Sequence, residues 1–241
     1  MELEDINRVE FDDKNIPNLS KEVQSIFHYN VDINKTSYLN WKMTYCSPNS
    51  SKFVCMGEAY LNTAYSLVQI CLYNNSDKKA DTWIFPILFN VIHGIEVYLK
   101  AINAILNVDL RKEQTQIQGN HNIKQLCCVS KKLIAELNAT DGDDITKDMV
   151  MAIDVIYNFI DNIYQKTNDM TFARYPINKE KKNQFYIEDG RTVVDLEVLK
   201  SQLPIIYNLL KFIYEVPEMD IELRSEIEYE LLNEMDNYYE Y

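Results

Sequence analysis

Apolar residues recur at helical spacing in five stretches of this chain, and each stretch predicts one face of a helix. From Phe53 to Tyr73, the residues Tyr60, Leu61, Ala64, Leu67, Val68, Cys71 and Leu72 share a side, and "NNSDKKAD" breaks the pattern at Asn74–Asp81. The next helix is expected from about Thr82 to Asn107, with Pro86 in its first turn, where a missing N–H is tolerated. After the polar connector "VDLRKEQTQIQGN", a helix over His121–Leu137 turns Ile123, Leu126, Cys127, Ser130, Leu133, Ile134 and Leu137 inward. "NATDGDD" reads as a turn, with Asp143 or Asp144 as N-cap of a helix running to about Thr167. That helix gathers Met149, Ala152, Ile153, Ile156, Phe159, Ile160 and Ile163 on one face. A final helix from about Leu196 to Val216 carries Leu199, Leu203, Ile206, Leu210 and Ile213.

Between the last two helices the pattern changes. "TFARYPI" and "QFYIEDGRTVVDL" are aromatic and β-branched, and Asp189-Gly190 is a strong hairpin signal. The expected fold is therefore all-α, a bundle of about five main helices with a small β-hairpin insertion near 172–194. Three regions are expected: an irregular N-terminal segment (1–52), the bundle (53–216), and an acidic helix and tail (217–241) opened by Pro217.

The second helix holds the most informative stretch, "FNVIHGIEVYLKAINAIL". Asn90, His93, Glu96, Lys100 and Asn103 recur through an otherwise apolar run. At about 100° per residue, His93, Glu96 and Lys100 fall within about 60° of arc, which Asn90 and Asn103 widen to about 140°. A helix so apolar on its other sides touches neighbours there, so its polar side faces water, a partner or a lined cavity. Glu96 to Lys100 is also the favoured order for an i,i+4 ion pair.

Composition narrows the choice of partner. The formal net charge is −13, which disfavours wholesale binding of nucleic acid. The charge is uneven, because residues 217–241 carry nine acidic groups and one Arg, a local −8, leaving −5 on the rest. A local basic site on the bundle is compatible with that balance. The five cysteines (Cys46, Cys55, Cys71, Cys127, Cys128) have no metal-type spacing, and three lie in apolar helical patterns. No secretory signal and no uncharged apolar run of spanning length is seen, so a cytoplasmic location with no membrane partner is expected.

Candidate chemistry gathers at three places. His121 follows Gly119-Asn120 at a helix start, near the positive end of the helix dipole. Arg174 and Tyr175, in "FARYPI", lie in a locally basic segment with Lys179, Lys181, Lys182 and Arg191, interleaved with Phe172, Phe185 and Tyr186. Arginine beside aromatics suits phosphate and base contact. "HGIE" sets His93 and Glu96 at i, i+3, which would need further ligands to hold a metal; no metal and no cofactor are expected. Phosphate-loop, dinucleotide, nucleophile-elbow and zinc-protease motifs are all absent from the sequence.

"GIEVYLKAINAILN", a polar connector, "GNHNIKQLCCVSKKL", a long helix and then "FARYP" resemble HEPN-like proteins, prokaryotic helical domains common in toxin–antitoxin and phage-defence systems. The resemblance covers about Ala59 to Val216. It implies a homodimer and a role in defence. Ribonucleases of that superfamily use an Arg followed four to six residues later by a His. None of the five arginines here (Arg8, Arg111, Arg174, Arg191, Arg224) precedes a histidine at that spacing, so no catalytic residue carries over.

Three functions remain open. One is a HEPN-like protein that binds RNA, a nucleotide or a protein partner without the usual nuclease motif, at Arg174, Tyr175, His93, Lys100 and His121. Another is an enzyme with a non-standard site, its catalytic candidates being His121, Lys100 and Glu96. The third is an interaction module whose acidic, tyrosine-rich tail engages a basic partner.

Overall fold

The long apolar run becomes the central helix of an all-α bundle. A computed structural model describes residues 26–27, 30–39, 48–112, 121–141, 144–188, 190 and 192–239. The main helices are α1 (Asn49–Tyr73), α2 (Ala80–Asp109), α3 (Ile123–Asp141), α4 (Asp144–Tyr164), the single turn α5 (Phe185–Glu188) and α6 (Leu196–Tyr239). The chain divides into two units, Met1–Leu39 and Asn40–Tyr241, and all six helices belong to the second. In the first, a 3-10 turn at Ile33–Lys35 starts at Asp32, whose Oδ1 accepts a bond from Asn34 N.

α2 packs against α1, α3 and α6, while α4 packs on α3 and α6. By length and composition α2 would also pass for a membrane span; half of its most apolar window is buried inside the bundle. Val91, Ile95, Tyr98, Leu99, Ile102 and Leu106 are fully buried along it. α1 and α2 cross closely at two glycines. A Cβ on Gly94 would stand 2.9 Å from Leu61 Cγ, and one on Gly57 would stand 3.2 Å from the Gly94 carbonyl oxygen. Only residues without a side chain allow that approach.

The inward stripes of α3 and α6 are buried as the periodicity requires. Ile123, Leu126, Cys127, Ser130, Leu133, Ile134 and Leu137 are buried on α3, and Leu199, Leu203, Ile206, Leu210 and Ile213 on α6. The α3 entrance is capped by Asn122, whose Oδ1 accepts a bond from Gln125 N. α4 begins at Asp144; Asp143 lies outside the described residues.

Three expectations are corrected. No strand occurs among the described residues, so the β-hairpin near 172–194 is replaced by other turns. A 3-10 turn at Met170–Ala173 is followed by one bridge, Ile177 to Asn183, and then by α5. Asn178 Oδ1 closes that small loop by accepting from Glu180 N and Lys182 N. Gly190 adopts a left-handed φ of 77°, as the turn signal demands, but it follows helix rather than strand; Asp189 and Arg191 lie outside the described residues. Second, Pro217 does not open a new helix. α6 continues through both Pro204 and Pro217, each at the loss of one backbone bond. Beyond Pro217 the helix is held in line by Arg224, which pairs with Asp109 at the C-terminal end of α2, and by Arg111 to Glu228 at 3.3 Å. Third, α2 begins two residues earlier than expected, which puts Pro86 in the helix interior on an exposed position.

Candidate functional site

The polar arc of α2 is turned away from water over Glu96 to Asn103, while Asn90 and His93 at its start are half-buried. Glu96 and Lys100 are each only 8% exposed, and Asn103 is buried too. The α3 entrance covers this side. Asn103 Nδ2 donates to the Leu126 carbonyl at 3.2 Å, and its Oδ1 accepts from Ser130 Oγ at 2.7 Å, which latches α2 to α3.

About two turns of helix away, Glu96 organises the histidines. Its Oε1 accepts from Lys100 Nζ at 2.8 Å and contacts His121 Nδ1, also at 2.8 Å. Its Oε2 lies 3.7 Å from His93 Nδ1. Burial pushes the Glu96 carboxyl up; the hydrogen bonds and charges of Lys100 and His121 together outweigh it, leaving the group below the ordinary carboxylate value. Glu96 is thus an anion at neutral pH and only accepts, so His121 Nδ1 carries the proton it donates. The His121 side chain is 80% exposed, which leaves the opposite nitrogen, Nε2, on the solvent side.

His93 extends the cluster toward α1 and the 170–175 turn. Its ring stacks on Phe89 (5.4 Å, 13°) and meets Tyr60 edge-on (4.7 Å, 73°). The other side of this aromatic group belongs to Arg174. Its guanidinium sits 5.6 Å from the Phe89 ring centre and 5.7 Å from that of Tyr175. Arg174 is placed by the 3-10 turn before it: Asp169 Oδ1 accepts from Thr171 N and Oγ1, and Arg174 N donates to the Thr171 carbonyl at 2.8 Å. Asp169 is held in turn by Gln184 Nε2, which donates to its Oδ2 at 3.0 Å. Arg174 makes no ion pair among the described residues, and both it and Tyr175 are exposed.

Four of the candidates named from sequence, Arg174, His93, Glu96 and His121, are therefore joined in one run of contacts through Phe89, with Lys100 beneath it. Lys100 is not presented to a ligand; its ammonium is spent on Glu96. Sequence reasoning missed Phe89 and Tyr60, the platform between cation and histidine. The helical spacing Phe89, His93, Glu96 was the available signal, since i, i+4 and i+7 share a side. Lys179, Lys181 and Lys182 lie exposed on the small loop beyond Tyr175. Among the described residues no three His, Cys, Asp or Glu side chains are grouped to hold a metal ion.

Two grooves lie elsewhere. One of about 600 Å³ runs between α4 and α6 beneath the Thr192–Asp195 segment, lined by Phe159, Ile163, Phe172, Val193 and Leu199 among others. Its neighbour, about 500 Å³, lies on the Phe85–Tyr186 side of the same segment. Neither includes Glu96, His121 or Arg174 in its walls. Site chemistry here is thus a polar surface rather than a deep pocket. No protein-family model, curated protein or solved structure matches this chain.

Proposed function

We propose that the chain is a HEPN-like protein of a bacterial defence or toxin–antitoxin-type system that binds RNA or a nucleotide across Arg174, Tyr175 and His121. The observation that carries this reading is Arg174. It is an exposed guanidinium without an ion pair among the described residues, laid on Phe89 and Tyr175 and joined through stacked His93 to an anchored, solvent-facing histidine. A guanidinium recognises phosphate oxygens in a fork, and exposed tyrosine offers a stacking face for a base. With a net charge of −13 on the chain, a nucleotide or short single strand suits the site better than a long duplex. The order Glu96, Lys100, His121, Arg174 within an all-α bundle supports the HEPN-like assignment.

The test is binding of a fluorescent single-stranded RNA and of labelled adenine and guanine nucleotides to wild type, Arg174→Ala and His121→Ala. Binding that weakens in both variants supports the reading; equal, negligible binding in all three overturns it. Sedimentation of the same samples checks the homodimer that the resemblance implies.

A second reading rests on the Glu96–His121 pair. A buried carboxylate that holds a protonated Nδ1 leaves Nε2 as the acceptor, the arrangement of a general base. Nε2 would take a proton from a ribose 2′-hydroxyl or from water, with Arg174 near developing phosphate charge. Cleavage of RNA over hours by wild type and its loss in His121→Ala would establish this; intact RNA across a range of divalent metals would dismiss it.

A further inference from the structure

We propose that the distal half of α6 docks a basic amphipathic helix of a partner protein. Met219, Leu223, Ile227 and Leu231 recur every four residues there and form a ridge along one side of the helix, each between 48% and 66% exposed. At about 1.5 Å per residue the ridge is about 18 Å long. Upstream on the same helix, residues of equal hydrophobicity such as Leu203, Ile206 and Leu210 are buried in the bundle. The ridge lies about 100° round the helix from that stripe, whose own continuation past the body carries Arg224 and Glu228, and none of the other described helices covers it.

The helix is prepared for an occupant. The Arg224 guanidinium donates to both the carboxylate and the main-chain carbonyl of Asp109, and Glu228 pairs with Arg111. These contacts fix one side of the helix to the end of α2, and the ridge lies off that side. A partner would thus meet an ordered helix rather than fold a tail.

Charge decides which partner. Asp220, Glu222, Glu226 and Glu230 border the ridge, and none forms an ion pair among the described residues. Residues 217–241 together carry −8. A second copy of this chain would set that charge against itself, and an anionic membrane surface would repel it. A helix with its own apolar stripe bordered by Lys or Arg satisfies both features at once, as in helix-in-groove recognition. Four apolar side chains are fewer than a standard stable interface contains, so the expected affinity is about micromolar and salt-dependent.

The experiment uses the full chain and a fluorescein-labelled peptide about 18 residues long, patterned with leucine on one helical face and lysine beside it. Fluorescence anisotropy is read at ionic strengths of about 0.1 M and about 1 M. The wild type is expected to bind in the micromolar range and more weakly at high salt. Leu223→Gln/Ile227→Gln/Leu231→Gln, at exposed positions, should weaken binding roughly tenfold or more with helical content unchanged. Glu222→Gln/Glu226→Gln/Glu230→Gln should weaken it and remove most of the salt dependence. Equal binding by the leucine-ridge variant overturns the proposal, and so does equal binding of a scrambled peptide that lacks the stripe. A dimer of the wild type that the ridge variant abolishes would show a second copy as the occupant instead.

Discussion

Replacing Glu96 by Gln is the sharpest perturbation this fold offers. The substitution keeps size and one carbonyl oxygen but removes the charge that Lys100 and His121 share. His121 is largely solvated, so its loss costs little. Lys100 is different: its side chain is 9% exposed and Glu96 Oε1 is the acceptor beside it. Breaking a buried pair from one side typically costs about 3–5 kcal/mol, because the remaining charge stays desolvated. The amide oxygen of Gln still accepts one bond, which puts the expected loss near the lower end, about 3 kcal/mol. For a domain of this size that lowers Tm by about 6–12 °C.

Lys100→Met supplies the control, since it removes the ammonium and keeps an aliphatic stem. The double substitution Glu96→Gln/Lys100→Met should be less destabilising than the sum of the singles by about 2 kcal/mol or more, because a neutral pair needs no ionic partner. Urea denaturation followed by circular dichroism measures all four proteins. A loss under about 1 kcal/mol for Glu96→Gln, or simple additivity in the cycle, would refute the reasoning. Either result would mean that the Lys100 ammonium escapes to water along its stem, and that Glu96 is not what keeps it inside.

Other consequences follow from the same contacts. Gly94→Ala places a Cβ 2.9 Å from Leu61 Cγ, so it should destabilise by about 1–3 kcal/mol, read as a lower Tm; an unchanged Tm would mean that α1 and α2 separate freely. Tyr98 is fully buried, its hydroxyl has no hydrogen-bond partner among the described residues, and burial pushes its ionisation far above the ordinary tyrosine value. Tyr98→Phe removes an unsatisfied group worth about 1–3 kcal/mol, so Tm should hold or rise, and a clear fall would reveal a partner. The Glu96 carboxyl lies below its unfolded value of 4.5. Its contribution is therefore complete above that pH and lost as pH falls through the lower, folded value. Between neutral pH and that acid range, wild type should lose stability more steeply than Glu96→Gln, and parallel curves would contradict the sign.

The helices were legible because each buries one stripe, and a one-sided stripe is a local property of the sequence. The insertion was not legible, and Phe185 and Tyr186 show why. On a strand, neighbours point to opposite faces, so only one of them would reach the bundle. Here both do: Phe185 meets Phe172 at 5.4 Å, and Tyr186 meets Phe85 at 5.1 Å. A helical turn permits that, and tertiary packing outweighs the β-branched and aromatic preference of the segment. Pro217 misleads for a related reason. The cost of one lost backbone bond is offset by Arg224 on Asp109, whose partners lie 115 residues apart in sequence.

The site divides along the same line. Spacing alone set His93, Glu96 and Lys100 on one side of α2, but whether that side met water depended on His121, 25 residues away. What the structure adds is a reason to ask about position rather than stability. A buried ion pair is commonly no more stabilising than a well-packed apolar pair, so Glu96 and Lys100 are a poor choice if holding α2 were their whole use. The ion pair instead keeps a carboxylate ionised and fixed beneath an exposed imidazole. The double substitution separates the two roles. If Glu96→Gln/Lys100→Met recovers most of the stability lost in Glu96→Gln while RNA or nucleotide binding stays weakened, then the pair serves to place His121. If binding returns with stability, Glu96 matters only to the fold, and Arg174 with its aromatics is the whole of the site.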